Sequence, residues 1–152
     1  MKNTYGLDHV DLKIIKILQR DGRTPNTDIA RLLDVSESTV RNRIARLIEK
    51  DVIQIVAVAD PFKLGLDIAA SIKIHVDIQK ADHVAMELEK IESLWYITLA
   101  TGASTFNAEV YVRTINDLQS LLKDRIWKID GVTHTETSVV MDYLKREYCW
   151  DF

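Results

Sequence analysis

The spacing of apolar residues changes once along this chain of 152 residues, and the change limits the folds the chain can adopt. In the first third, apolar residues recur every three or four positions, as on one face of a helix. From residue 68 onward they alternate with polar residues in several stretches, as on a strand with one buried face. The sequence therefore predicts an α+β protein with a helical N-terminal domain and a mixed C-terminal domain.

Three short helices are predicted before residue 50. Residues 7–19 keep helical spacing, and Asp8 is placed to cap the start of this first helix. A second helix lies within residues 25–33, and a third runs from an N-cap at Ser36 to about Glu49. Two short helices joined by a tight turn, the second carrying cations, indicate a helix-turn-helix.

The third helix has an apolar and a polar face when its residues are placed at 100° intervals. The predicted buried stripe consists of Val40, Ile44, Leu47 and Ile48. Short polar side chains opposite that stripe suit the major groove, because Asn can read adenine and Ser or Thr can contact any base. Flanking arginines can hold phosphates. The DNA-binding residues predicted on this face and its flanks are Ser38, Thr39, Arg41, Asn42, Arg43 and Arg46.

Two other interpretations of this helix stay open. It could be a solvated cationic face, or the helix-turn-helix could be a protein-docking module. Residues 1–60 carry 10 Lys and Arg against 9 Asp and Glu, so the domain as a whole is only weakly basic. Residues 39–50, however, carry four cations and one anion, and this local bias favours double-stranded DNA as the partner.

An apolar run at residues 52–58, ended by Asp60-Pro61, predicts a strand that serves as a wing or an arm. At the edge of a small domain its backbone would be unpaired, so pairing with a second chain is expected. Gly65 marks a linker within residues 62–66. The predicted organisation is a helix-turn-helix domain at 1–52, a connecting strand and linker at 53–66, and a second domain at 67–152.

The second domain repeats the order strand, helix, strand. Such a βαβ–βαβ order predicts a ferredoxin-like sandwich, in which four antiparallel strands carry both helices on one face. The uncovered face needs a cover, and the simplest one is the same sheet from another subunit. Candidate residues for that face are Tyr111, Thr133, Thr135, Thr137 and Val139.

Composition and motif content exclude several classes of protein. With 47% hydrophobic residues the chain is not disordered, and no apolar run approaches the ~18 residues that span a bilayer. The N-terminus lacks the apolar region of a signal peptide, so a cytoplasmic protein without membrane contact is expected. The single cysteine, Cys149, cannot form an internal disulfide, and the four histidines lack ligand spacing. No metal, cofactor or catalytic residue is predicted, because phosphate-loop, nucleophile-elbow and zinc-helix motifs are all missing.

A set of short motifs extends over nearly the whole chain. In the first domain they include Ile29-Ala30, Val35-Ser36, Thr39-Val40, Arg43-Ile44 and Leu47, and in the second Thr101-Gly102, Gly131-Val132, Thr137 and Lys145. In order and spacing they resemble the Lrp/AsnC family of prokaryotic transcription regulators. The resemblance implies a winged helix-turn-helix joined to a ferredoxin-like (ACT-like) ligand-binding module, in homodimers that often form tetramers or octamers. It also implies a sequence-specific DNA-binding regulator modulated by a small-molecule effector such as an amino acid.

The resemblance also carries over individual positions. By matched position the DNA-reading segment spans residues 36–46, which adds Ser36 to the predicted contacts. The effector would bind between subunits at the loop formed by Gly102, Ala103, Ser104 and Thr105. Thr105 stands where the family motif has an Asp that would help to hold an effector's amino group or order the loop.

Two other positions differ from the family pattern, and one branch with this architecture is an enzyme. Asp34 and Asp51 stand where the family has Gly on either side of the third helix, and Asp tolerates left-handed backbone better than most residues. A branch with this architecture decarboxylates sirohaem, but residues 93–98 lack the His-Asn-Tyr cluster of that branch. The enzyme is therefore the less favoured interpretation.

Overall fold

The computed structural model describes residues 6–147 and residue 150, so Cys149 lies outside the described residues. Internal contacts divide the chain into two compact units. The first contains residues up to 58 together with those from 145 onward, and the second contains residues 59–144. Across the described residues, no helix is both long enough and apolar enough to cross a membrane.

The first unit is built on three helices. They are α1 (His9–Arg20), α2 (Asn26–Leu33) and α3 (Glu37–Glu49). Ile14, Ile29, Val40 and Leu47 are fully buried, so one core residue or more comes from each helix. The start of α1 is capped as predicted: the Asp8 carboxylate accepts from the backbone N–H groups of Val10 and Asp11, both at 2.9 Å. The predicted three-helix order is confirmed.

Two aspartates hold the turns on either side of α3. Asp34 ends α2 with φ +54°, and Asp51 follows α3 with φ +53°, so both lie in the left-handed region. The backbone geometry expected of a Gly-containing turn is therefore retained with Asp, as predicted. Between α2 and α3 the N–H of Val35 donates to the carbonyl of Ala30 at 3.1 Å, which closes a tight helix-turn-helix.

The predicted strand at residues 52–58 is not a strand in the single chain. Residues 53–60 have no assigned secondary structure, and Ile55, Val56 and Val58 are exposed. A strand is defined by ladder hydrogen bonds to a neighbour, and none of the described strands pairs with this segment. The segment thus has the apolar pattern of a strand but no neighbouring strand to pair with among the described residues.

The second unit consists of four strands and two helices, which are β1 (Ile68–Val76), α4 (Ala81–Glu89), β2 (Leu94–Leu99), β3 (Phe106–Val112), α5 (Ile115–Ser120) and β4 (Val132–Val139). The strands form one antiparallel sheet in the order β2-β3-β1-β4. After α5 the chain continues through a π-helical turn at Leu121–Arg125 and a 3-10 turn at Ile126–Lys128. Further 3-10 turns lie at Phe62–Leu64 and Ile78–Lys80. The predicted ferredoxin-like βαββαβ domain is confirmed.

Both helices cover the same sheet face. Val84, Leu88, Leu118 and Leu121 from the helical segments form one buried cluster with Ile72 and other residues of the sheet. The opposite, open face carries polar side chains and an aromatic group in which the rings of Trp95 and Phe62 lie 6.1 and 6.0 Å from that of Tyr111. This group continues to Tyr143, whose hydroxyl lies 2.8 Å from that of Tyr111.

The prediction for the open face was wrong in β4. Thr135, Thr137 and Val139 pair with Ile74, Ile72 and Ala70, which belong to the helix-side core. Directly paired residues share a face, so these three side chains lie on the helix side. Thr133 lies at the register irregularity between His75 and Val76, where it has no directly paired residue to assign its face. Tyr111 lies on the open face, opposite Ala69.

Candidate nucleic-acid interface

The helix α3 presents the predicted short polar residues to solvent. Val40 and Leu47 are fully buried and fix the helix in the core, whereas Ser38, Arg41 and Asn42 are exposed. The buried stripe is narrower than predicted, because Ile48 is 43% exposed. Asn42 makes no side-chain hydrogen bond to any residue that the structure describes, so its amide is available to a ligand.

A cluster of three hydroxyls lies at the N-terminus of α3. The Ser36 Oγ caps the helix by accepting from the Thr39 N–H at 3.1 Å. It also lies 2.9 Å from the Ser38 Oγ and 2.7 Å from the Thr39 Oγ1. The three hydroxyls are therefore held together at the helix end where backbone N–H groups and the helix dipole favour anionic groups.

Arg41 is the predicted phosphate contact that stays most exposed. Its guanidinium pairs with Glu37 one helical turn earlier, and both side chains are largely in solvent. A solvent-exposed pair of this kind contributes little to stability. A DNA phosphate can therefore replace the Glu37 carboxylate at small cost.

Arg43 and Arg46 have different surroundings from Arg41. The Arg43 Nη1 donates to the Asp8 Oδ2 at 2.7 Å and to the Asp11 Oδ1 at 2.9 Å. The Arg46 Nη2 donates to the Asp11 Oδ2 at 2.6 Å. Asp11 is fully buried, while the Arg43 and Arg46 side chains are 25% and 43% exposed. These four residues, which we call the α1–α3 ion cluster, join α3 to α1 and its N-cap.

The ionisation of the cluster follows from its hydrogen bonds. The backbone N–H of Asp11 and the guanidinium of Arg43 lower the pKa of Asp8 to about 2. The hydrogen bonds to Asp8 and Asp11 in turn raise the pKa of Arg43 above its ordinary value. Asp8 and Arg43 are therefore both charged throughout the neutral pH range.

Sequence reasoning missed the role of Asp11. The residue falls on the side of α1 that also carries Ile14 and Ile15, both of which are buried. Carboxylates are almost never fully buried unless they are paired. An Asp within the apolar stripe was therefore a usable signal for cationic partners elsewhere in the chain.

The four predicted effector residues follow one another in the loop between β2 and β3. Gly102 has φ +129° and is exposed with Ala103, whereas Ser104 is buried and its Oγ donates to the Asn107 Oδ1 at 2.9 Å. The Thr105 N–H donates to the Ile74 carbonyl at 3.1 Å, and the Thr105 carbonyl accepts from Ala100 at 2.9 Å. The loop is thus tied to the sheet through Ser104 and Thr105.

A separate groove of about 260 Å³ lies between α4 and the edge strand β2. It is lined by Ala81, Asp82, Ala85, Glu89, Ile97, Leu99 and Phe106. None of the four predicted effector residues is part of that lining. The described residues contain no group of three or more His, Cys, Asp or Glu side chains that could hold a metal ion.

The fold and the exposed polar face of α3 define a helix-turn-helix protein with an attached ferredoxin-like domain. The family model for the AsnC-type helix-turn-helix domain matches residues 7–48, and that for the Lrp/AsnC ligand binding domain matches residues 69–149. The chain belongs to the Lrp/AsnC family.

Named relatives agree with this assignment over almost the full length. An uncharacterised HTH-type transcriptional regulator of Pyrococcus furiosus is 36% identical over 143 residues, covering 93% of this chain and 97% of the relative. The HTH-type transcriptional regulator LrpA of Pyrococcus horikoshii is 33% identical over 140 residues, covering 91% and 99%. The solved structure of E. coli AsnC shares the fold, with a TM-score of 0.87 at 24% identity, and the match covers 94% of this chain and 97% of that one.

Proposed function

We propose that this chain, a DNA-binding transcriptional regulator with a ligand-binding domain, reads duplex DNA through the N-terminal half of α3. Ser36, Ser38 and Thr39 would meet DNA near the helix N-terminus, Asn42 would read a base edge, and Arg41 would hold a phosphate. The single observation that carries this proposal is the exposed Asn42 and hydroxyl cluster on a helix anchored by fully buried core residues.

We also propose that the working form is at least a homodimer. Two surfaces support this. The extended segment 53–60 exposes apolar side chains, with Val56 at 68% exposure, and its backbone pairs with none of the described strands. The open sheet face exposes Trp95 and Tyr96 beside Tyr111. A two-fold dimer would place two α3 helices in successive major grooves about 34 Å apart, which favours a pseudo-palindromic site.

Regulation would come from a small molecule bound by the ferredoxin-like domain. We place its site at the loop of Gly102, Ala103, Ser104 and Thr105, because that loop combines exposed backbone at Gly102 with a firm attachment to the sheet. An effector can shift the equilibrium between assemblies only by its difference in affinity for them. An amino acid or a related compound is the class of effector proposed, and tetramers or octamers are the assemblies it would favour or disfavour.

The proposal is tested by selecting duplexes from a random pool with the purified chain, together with light scattering with and without a panel of amino acids. A dimer or larger assembly that enriches one pseudo-palindromic sequence is the expected result. An oligomer that enriches no sequence would refute DNA reading and favour the protein-docking interpretation. The proposed action is by binding and not by catalysis. Because the proposed partner is DNA, we place the protein in the cytoplasm.

A further inference from the structure

Each of the three arginines of α3 has a carboxylate partner, but the partners differ in origin. Glu37 is four residues from Arg41 on the same helix. The partners of Arg43 and Arg46 lie on or next to α1, 32 to 35 residues away in sequence. The α1–α3 ion cluster is therefore a tertiary contact, which sets how the recognition helix is held.

We propose that Asp11, assisted by Asp8, withholds Arg43 and Arg46 from DNA phosphates and acts as a positioning residue that sets the ratio of specific to non-specific binding. This inference rests on the proposed function, because it concerns how α3 reads DNA. It differs from the sequence prediction, which counted both arginines among the DNA contacts. It assigns the phosphate contact on α3 to Arg41 alone of the three.

The hydrogen bonds of the Asp11 carboxylate hold Arg43 and Arg46 in place. Its Oδ1 accepts from Arg43 at 2.9 Å, and its Oδ2 accepts from Arg46 at 2.6 Å and from the Asp8 N–H at 3.1 Å. With both guanidiniums in place the carboxylate is fully buried, so its charge is balanced by these hydrogen bonds and not by water. Moving either arginine to a phosphate would leave a buried charge with fewer partners, which is strongly unfavourable.

Arg41 does not meet this obstacle. Glu37 is 44% exposed, so its carboxylate returns to water when Arg41 turns to a phosphate. The two kinds of pair therefore divide the arginines of α3 into one that can exchange its partner and two that cannot.

Withholding two cations favours specificity. Phosphate contacts strengthen binding to every sequence equally, whereas contacts to base edges distinguish sequences. With Arg43 and Arg46 held back, a larger share of the binding free energy comes from the short polar residues of α3. Releasing the two arginines from their carboxylates would raise the affinity for all DNA. It would also lower the ratio of the affinity for the selected site to that for a scrambled site.

The test measures the salt dependence of DNA binding for the full chain and three variants. Asp11→Asn removes the buried charge, and Asp8→Asn removes one partner of Arg43 while keeping a favourable N-cap. Asp34→Asn is the matched control: it removes the same unit of charge from the first unit, at a left-handed position that Asn accepts, and Asp34 has no ion pair among the described residues. Affinities for the duplex enriched from the random pool and for its scrambled version are measured by fluorescence anisotropy between 50 and 200 mM salt.

The expected result is a steeper salt dependence for the cluster variants. Every additional phosphate that an arginine binds adds about 0.9 to the slope of log affinity against log salt, or roughly three- to fourfold across this salt range. Asp11→Asn should bind one or two more phosphates than the wild type, and Asp8→Asn should bind up to one more. In both variants the ratio of the affinity for the enriched duplex to that for the scrambled duplex should be smaller than in the wild type. Asp34→Asn should keep the wild-type slope. Adding Arg46→Gln to Asp11→Asn should bring the slope back toward that of the wild type, which general loosening of the domain would not do.

Each outcome decides the proposal. If the wild-type chain binds both duplexes equally, the proposed function itself is refuted. If the wild type discriminates but Asp11→Asn and Asp8→Asn have the slope of Asp34→Asn, DNA reading stands and the withholding is refuted. Circular dichroism checks that each variant folds. If Asp11→Asn does not fold, the comparison of the salt slopes of Asp8→Asn and Asp34→Asn decides whether the withholding is refuted.

Discussion

Truncating Asn42 to Ala should change which DNA sequences the protein prefers without changing its stability. The side chain is exposed and makes no hydrogen bond within the described chain, so its removal breaks no internal hydrogen bond. Ala also has a higher helix propensity than Asn, so α3 should persist. A bidentate contact between Asn and adenine is worth about 1–3 kcal/mol of discrimination, which corresponds to roughly 5- to 150-fold in affinity.

The assay compares the wild type and Asn42→Ala on a panel of duplexes in which each position of the enriched half-site is replaced by the other three bases. The variant should lose discrimination at one position per half-site and retain it at the others. Gln79→Ala, which removes an exposed amide from the second unit, is the control and should leave the whole profile unchanged. An identical ranking of duplexes for Asn42→Ala and the wild type would refute Asn42 as a base reader.

Three further predictions concern other parts of the molecule. Arg41→Ala should weaken binding to all duplexes alike and reduce the salt slope by about 1, and an unchanged slope in the same anisotropy assay would contradict its phosphate contact. Thr105→Asp should create or strengthen amino-acid binding in calorimetry, because an Asp at this position would help to hold an effector's amino group. The backbone hydrogen bonds of Thr105 do not depend on its side chain, so the loop should persist, and unchanged heats would contradict the proposed site. Because the pKa of Asp8 is lowered from 3.8 to about 2, its stabilising effect is complete above about pH 4 and is lost as the pH falls toward 2. Asp8→Asn should therefore show a smaller loss of denaturant stability between pH 5 and pH 2 than the wild type, and equal losses would contradict this assignment.

The parts of the fold predicted correctly depend on short-range patterns. The spacing of apolar residues in α1 and the carboxylate of Asp8 lie within one or two helical turns of the features they determine. The alternation along β1 and β3 likewise defines one buried face for each strand. The left-handed turns at Asp34 and Asp51 depend on the conformational tolerance of a single residue type.

The parts that sequence reasoning missed depend on distant partners. The face of β4 is fixed by its register with β1, which includes an irregularity between His75 and Val76, so alternation alone could not assign it. The pairing of Arg43 with Asp11 joins residues 32 positions apart, and no local pattern specifies it. The segment 53–60 has the composition of a strand, but a strand forms only where a ladder partner is available.

The pairing of all three α3 arginines also bears on why two subunits would be needed. Residues 1–60 carry only one more cation than anion, so general attraction between one such domain and DNA is weak. Two domains joined at a fixed spacing make the second binding event intramolecular, which can raise the overall affinity 10²- to 10⁴-fold without any new contact. On our proposals, dimerisation therefore supplies affinity that the charge of α3 does not. A ligand that changes the spacing between the two domains would then control DNA binding without altering any residue of the recognition helix.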